Sequence, residues 1–184
     1  MEIRKYQAND KLNCQNICLL TAPPTDNETK KKVLLNLYND YYTEQEPQNC
    51  LVLDDNGIAV GYIITSADFN TYSAKFKSEY LPELKKLSIA EYFIKKLSIS
   101  FEKHIAKKYP SHLNIDILSE YTGKGFGSKL IDLACENLAV AGSKGIFLGV
   151  SYSNKKAVKF YKKHGFTTKL TIFPFVRYMV KSFD

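Results

Sequence analysis

The sequence predicts a mixed α/β fold: a central mixed β-sheet flanked by helices, in one domain spanning residues 1–184. Three observations carry this expectation. Apolar or alternating runs at 50–53, 58–65, 112–118 and 146–151 alternate with segments of helical period. Asn56-Gly57, inside an acidic tetrad, is a hairpin signal between two of those runs. A glycine-rich loop falls late in the chain between a strand and a helix.

Taken in order, residues 2–6 read as a first strand. Asn9 or Asp10 then offers a cap for a helix over 11–20 carrying Leu12, Ile17 and Leu20. Pro23-Pro24 breaks the chain, and Asp26 or Asn27 caps a second helix through Val33, Leu34, Leu37 and Tyr38. After the hairpin, residues 67–110 carry aromatic and aliphatic residues at mixed helical spacings among nine lysines, a largely helical insertion ended by Pro110. Residues 112–118 alternate, with Leu113, Ile115 and Ile117 on one face and His112, Asn114 and Asp116 on the other. Phe126, Leu130, Ala134 and Leu138 form one stripe of a helix closed by Gly142. A strand at 146–151, a short helix ending at Gly165 and two closing strands around Pro174 complete the order.

Composition narrows the function classes. No run approaches the roughly 18–20 apolar residues that cross a bilayer, and the charged start, Met1-Glu2-Ile3-Arg4-Lys5, lacks a leader's apolar stretch. The chain is therefore expected to be cytoplasmic, with no membrane partner. Cys14, Cys18, Cys50 and Cys135 lack the spacing of a disulfide framework, and His104, His112 and His164 are scattered, so buried free thiols and no metal are expected. Charge is uneven: residues 1–67 hold six Lys/Arg against nine acids, residues 122–169 nine Lys against two. Such a basic excess suits nucleic acid, a small polyanion or a plain solvated surface. Its coincidence with the glycine loop favours the small polyanion, and no nucleic-acid partner is expected.

The loop is Thr122-Gly123-Lys124-Gly125-Phe126-Gly127-Ser128. Glycine at every second position removes the Cβ atoms that keep a ligand from the backbone. First-turn amides of the following helix have no intrahelical partner, and the helix dipole adds positive potential, which together make a phosphate cradle. Neither the nucleotide P-loop pattern nor the dinucleotide G-x-G-x-x-G pattern is met, the latter finding Ser128 at its last glycine.

The segment Glu120-Tyr121-Thr122-Gly123-Lys124-Gly125-Phe126-Gly127-Ser128-Lys129-Leu130-Ile131 resembles the acetyl-CoA-binding motif Q/R-x-x-G-x-G/A of the GNAT superfamily of acyltransferases. Downstream, Asn154-Lys155-Lys156-Ala157-Val158-Lys159-Phe160-Tyr161-Lys162-Lys163-His164-Gly165-Phe166 resembles the family's N-x-x-A-x-x-F-Y-x-x-x-G-F signature. Residues 112–118 and 146–151 are further similar to acetyltransferase-like domains associated with hexosaminidases. The motif's first position, normally Gln or Arg, is Thr122, so one phosphate contact is lost or taken over by Lys124.

The resemblance implies a GNAT-type fold, acetyl-CoA as acyl donor and an amine acceptor, a small molecule or a protein amino group. It implies that residues 122–128 hold the pyrophosphate, that the backbone of Ile117 and Leu118 pairs with the pantetheine arm and polarises the thioester carbonyl, and that Asn154 contacts the same arm. Tyr161 stands at the family's general-acid position; a phenol can protonate a departing thiolate, although its spacing after Ala157 and Val158 also suits a core aromatic. An alkylammonium is not a nucleophile, so a base is needed. Asp116 is the candidate, on the polar face of a strand expected to lie centrally, with a structural acceptor as the alternative reading; Glu120 comes second, and His112 reads as structural. The acidic first third, including Asp40, Glu44, Glu46, Asp54 and Asp55, either attracts a cationic acceptor or is a solvated face. The alternative to an enzyme is an acyl-CoA-binding sensor of little or no activity. Monomer and homodimer both remain open.

Overall fold

The computed structural model describes residues 1–183. Strands β1 (Glu2–Lys5), β2 (Cys50–Asp55), β3 (Ile58–Ser66), β4 (Ser111–Ile117), β5 (Gly145–Ser151), β6 (Thr167–Ile172) and β7 (Val176–Ser182) form one sheet in the order β1-β2-β3-β4-β5-β7-β6. Every neighbouring pair is antiparallel except β4 and β5, which run parallel. Helices α1 (Lys11–Thr21), α2 (Glu28–Tyr38), α3 (Asp40–Gln45), α4 (Phe69–Lys75), α5 (Leu81–Leu87), α6 (Ile89–Ala106), α7 (Phe126–Val140) and α8 (Lys155–Lys163) cover the sheet.

Alternation along the strands divides the core into two. Val52, Tyr62, Ile64, Phe147 and Tyr178 face α1 to α6, whereas Leu53, Ile63, Leu113, Leu148 and Met179 face α7 and α8. Asn56 and Gly57 both have positive φ, 53° and 86°, the geometry of the two-residue turn that joins β2 to β3. Arg4 ties β1 to the first helix and to that hairpin: its guanidinium lies 2.7 Å from Asp10 Oδ2 and 2.7 Å from Asp54 Oδ2.

The element order follows the sequence reading, with three differences. The first helix turns its cysteines inward. Cys14, Ile17 and Cys18 are buried, while Leu12 and Leu20 are each 71% exposed. Two residues turn a helix by about 200°, so Leu12 before Cys14 and Leu20 after Cys18 fall on the opposite side. Second, α3 was not foreseen; it follows α2 at once, through the buried Asn39. Third, the 67–110 segment is helical as expected, but α4 passes into α5 through a π turn at Phe76–Tyr80. Pro82 has no amide hydrogen and crowds the preceding turn, which explains why the helix widens there. All four cysteines are buried and free.

β4 and β5 hold together at a narrow apex, and Gly145 sits beside it. A Cβ built on Gly145 lies 2.7 Å from the Lys181 carbonyl oxygen and 2.8 Å from Tyr109 Cδ1. Gly145→Ala is therefore expected to destabilise the protein by about 1–3 kcal/mol in urea unfolding; an unchanged midpoint shows that the apex yields freely.

Candidate active site

The two central strands part almost at once. Ser111 pairs with Ile146 and His112 with Phe147, and no further pairs join β4 to β5. Beyond them β4 remains paired with β3 as far as Ile117, and β5 with β7 as far as Ser151. The inner edges of both strands therefore line a V-shaped opening, with backbone groups that need partners. The Leu118 amide donates to the Val60 carbonyl at 3.0 Å and its carbonyl accepts from the Tyr121 amide at 2.9 Å, so Leu118 is already engaged on the β3 side. Successive amides alternate direction along a strand, which leaves Ile117 as the residue whose amide faces the opening.

The glycine loop follows directly. Tyr121 Oη donates to Asp55 Oδ2 at 2.9 Å, bracing the loop against the hairpin, and Lys124 Nζ lies 5.4 Å from the Tyr121 ring centre. The Thr122 hydroxyl turns inward to the Ser119 carbonyl at 2.8 Å. Gly123 and Gly125 have φ of 76° and 85°, and a Cβ built on either meets nothing within 4 Å. That open space lies against α7's first turn, which no side chain caps. The first helical bond is from the Lys129 amide to the Gly125 carbonyl, so the amides of Phe126, Gly127 and Ser128 precede the ladder. An anion is favoured there. Gly127 does a different job from its two neighbours: its Cβ would lie 3.3 Å from Phe160, so its smallness lets α8 approach α7.

Asp116 lies on β4's polar face, opposite Tyr62 in the register, and accepts a hydrogen bond from Tyr62 Oη at 2.6 Å. Burial raises its pKa, opposed by the hydroxyls of Tyr62 and Thr21. Tyr161, on α8, is buried with its ring against Phe160 and Phe166, and its hydroxyl has no hydrogen-bond partner among the described residues. Burial, then the Asp116 charge, pushes that phenol well above its ordinary range. The phenol thus keeps its proton, and burial makes the carboxyl a stronger base than an exposed one. Asn154 caps α8, its Oδ1 accepting from the Ala157 amide at 2.9 Å. Glu120 is exposed on a short 3-10 turn.

On the α6 side, the opening widens into a cavity of about 390 Å³. Its polar lining includes Tyr38, Glu91, Lys95, Glu102, Asn114 and Tyr178. Glu102 accepts from Tyr178 Oη at 3.2 Å and lies 3.6 Å from Lys95 Nζ, which in turn is 5.5 Å and 5.3 Å from the ring centres of Tyr72 and Phe76. Burial works against the Lys95 charge, but Glu102 and nearby tyrosines outweigh it and raise its pKa. Glu91 has no ion pair among the described residues. Glu91, Lys95, Ser98 and Glu102 recur at helical spacing, a polar stripe present in the sequence but with nothing there to say what it faces. His112 also borders this cavity. Its ring lies among Tyr42, Phe69, Tyr72 and Phe147, and neither nitrogen has a partner. Burial, with Lys95 adding to it, holds its pKa well below the ordinary value, so it stays neutral.

The acids of the first third are mostly spent on the fold. Glu46 accepts from Tyr41, Ser66 and the Ala67 amide; Asp54 holds Arg4; Asp40 accepts from Gln15; Glu44 takes Lys11 and Tyr80. These bonds belong to neither of the two readings, a cationic acceptor's attraction or a plain solvated face: most of these acids hold parts of the fold together.

The family model of the acetyltransferase (GNAT) family matches residues 15–166. The chain belongs to that family. Protein O-GlcNAcase of Rattus norvegicus is 26% identical over a 149-residue alignment that covers 72% of this chain but 15% of that protein; the Mus musculus protein matches equally. The chain therefore spans only a small part of the curated relatives' length. Among solved structures, SsHAT superposes with a TM-score of 0.86 at 25% identity, over 98% of this GNAT chain and 97% of that one. The PaiA N-acetyltransferase of Thermoplasma acidophilum, solved with coenzyme A, shares the fold at a TM-score of 0.62 and 16% identity, over 99% and 98% of the two chains.

Because burial raises the Asp116 pKa while Tyr62 opposes it, Tyr62→Phe should raise it further, read as the carboxyl midpoint in an NMR titration. The fold disfavours the ionised form, so it loses stability as pH rises through the unfolded value of about 3.9. Asp116→Asn is accordingly expected to raise Tm at pH 7 and leave it nearly unchanged at pH 3; a lower Tm at pH 7 shows a net stabilising carboxylate.

Proposed function

We propose that this chain transfers an acetyl group from acetyl-CoA to an amine by direct attack in a ternary complex, without a covalent enzyme intermediate. The observation that supports the reading is the parting of β4 and β5 after two residue pairs, with an open glycine loop and uncapped helix amides following directly on β4. Acetyl-CoA fits the residues present. Gly123 and Gly125 face open space beside uncapped amides, which suits a pyrophosphate. In this reading residues 122–128 hold the phosphates, Lys124 standing in for the side chain that Thr122 does not extend. Ile117 offers its amide to the pantetheine arm, with Leu118 and Asn154 beside it.

When bound, acetyl-CoA supplies an activated thioester. Asp116 accepts the proton that turns an ammonium into a nucleophilic amine. The Ile117 amide polarises the thioester carbonyl. Tyr161 protonates the leaving sulfur, a role suited to a phenol whose burial keeps it un-ionised. The cavity beneath α6 takes the acceptor, with Glu91 free to meet a cation. A second reading, a binding module without turnover, draws support from Thr122, whose hydroxyl is held by Ser119.

Three variants separate these roles. Gly125→Val fills the cradle and strains a left-handed position; acetyl-CoA affinity in calorimetry should fall at least about 100-fold, roughly 2.7 kcal/mol, and an unchanged Kd removes the loop from the site. Tyr161→Phe should lower kcat about 10²-fold or more with Kd for acetyl-CoA within about twofold; full turnover returns Tyr161 to the core. Glu91→Gln should raise the acceptor KM and spare acetyl-CoA binding. Tight binding by the parent chain, with no coenzyme A released across an amine panel, favours the module.

A further inference from the structure

Ser128, in α7's first turn, lies in a hydrogen-bonded chain that the proposed reaction does not use. Its Oγ is 3.0 Å from His164 Nε2, and His164 Nδ1 is 3.1 Å from Asp132 Oδ1, one turn further along α7. His164 follows α8, the helix of Tyr161, and its side chain is 13% exposed. Phe160 seals the junction, with its ring centre 4.8 Å from that of His164 and its edge against Gly127. One imidazole thus connects the first turn of the proposed phosphate cradle to the helix bearing the proposed acid.

The donors in this chain can be assigned by elimination. An ionised carboxylate only accepts, so His164 Nδ1 carries a hydrogen and donates to Asp132. In the neutral ring Nε2 is then an acceptor, and Ser128 spends its one hydroxyl hydrogen on it. A phosphate oxygen needs a donor, and Ser128 has none left. If the ring takes a hydrogen ion from solvent, Nε2 becomes a donor to Ser128 Oγ, and the hydroxyl hydrogen is freed for another acceptor. The imidazolium is balanced by Asp132. Other charges nearby are Lys163 next to it on α8, Lys181 of β7, whose Cε approaches the Gly165 position to 3.7 Å, and Lys124 and Lys129 around the loop.

We propose that His164 is a positioning residue of the acyl donor's phosphate site, and that binding of a pyrophosphate draws one hydrogen ion onto it and turns Ser128 from a donor to His164 into a donor to the phosphate. The inference rests on reading residues 122–128 as the pyrophosphate cradle. It adds to that reading a proton-linked affinity, since a ligand that favours the protonated ring must bind more tightly as pH falls toward the range where histidine titrates.

Calorimetry on the full chain near pH 7.5, in two buffers of different ionisation enthalpy, tests it. The probe is dephospho-coenzyme A, which retains the pyrophosphate but lacks the 3′-phosphate that would itself titrate. The parent protein should take up a fraction of a hydrogen ion, at most one per site. His164→Gln keeps an acceptor for Ser128 but cannot be protonated, so uptake should vanish and affinity fall about tenfold, as for one charge-assisted hydrogen bond. Ser128→Ala should also abolish uptake, and serves if the Gln variant folds poorly. A pantetheine probe without phosphates should show no uptake in any of these proteins. Tight binding without uptake by the parent, or equal uptake by His164→Gln, overturns the proposal. Failure of the parent to bind dephospho-coenzyme A at all overturns the cradle reading first, and this inference with it.

Discussion

Everything in this molecule follows from the separation of β4 and β5 after two residue pairs. A parallel pair inside a sheet ordinarily hides both edges, and unpaired inner-edge amides and carbonyls are costly unless something meets them. Here each strand is fully used on its outer side, β4 by β3 and β5 by β7, so neither can turn to close the gap. The apex is held by Ser111 and His112 against Ile146 and Phe147. An extended molecule with amide groups of its own is the natural complement of such an opening, and in the proposed reading the glycine loop after β4 takes that molecule's charged end.

The same geometry explains why the two titratable groups are unusual. Asp116 and Tyr161 come from the two faces of the sheet, one on a strand face covered by α1 and the other on α8. Burial shifts both in the direction that keeps a proton. In a closed sheet a carboxyl on that face would need a permanent partner. Tyr62 supplies a short hydrogen bond and the Thr21 hydroxyl adds to it, yet together they do not offset burial. Burial of Asp116 thus costs stability at neutral pH, a cost that the proposed role as base would explain.

Much of this was legible in the residues because it depends on local rules. Asn56-Gly57 specifies its hairpin through backbone conformation alone, and Gly123 and Gly125 mark positive φ beside a helix start. Strand alternation put Asp116 on the polar face of β4. What stayed illegible depends on partners remote in sequence. Leu12 and Leu20 look like core residues until the neighbouring strand selects Cys14 and Cys18, whose small side chains let α1 lie close to β3. Gly127 looks like a third ligand-facing glycine until Phe160, 33 positions on, fills its side of the helix. The Glu91, Lys95 and Glu102 stripe has helical spacing, but only the tertiary fold shows that it faces the opening rather than solvent.

Thr122 shows why the departure from the family pattern touches less than it first suggests. A Gln or Arg there would extend a side chain toward the phosphates, whereas Thr122 turns back to cap the Ser119 carbonyl. That inward bond, with Tyr121 on Asp55, fixes the loop from beneath. The left-handed conformations of Gly123 and Gly125 and the uncapped amides of α7 are backbone properties, and none of them depends on the side chain at 122. In the proposed reading Thr122 gives up a phosphate contact that Lys124 can take over, and its bond to Ser119 helps to hold the loop's shape, which reduces the ordering that binding requires.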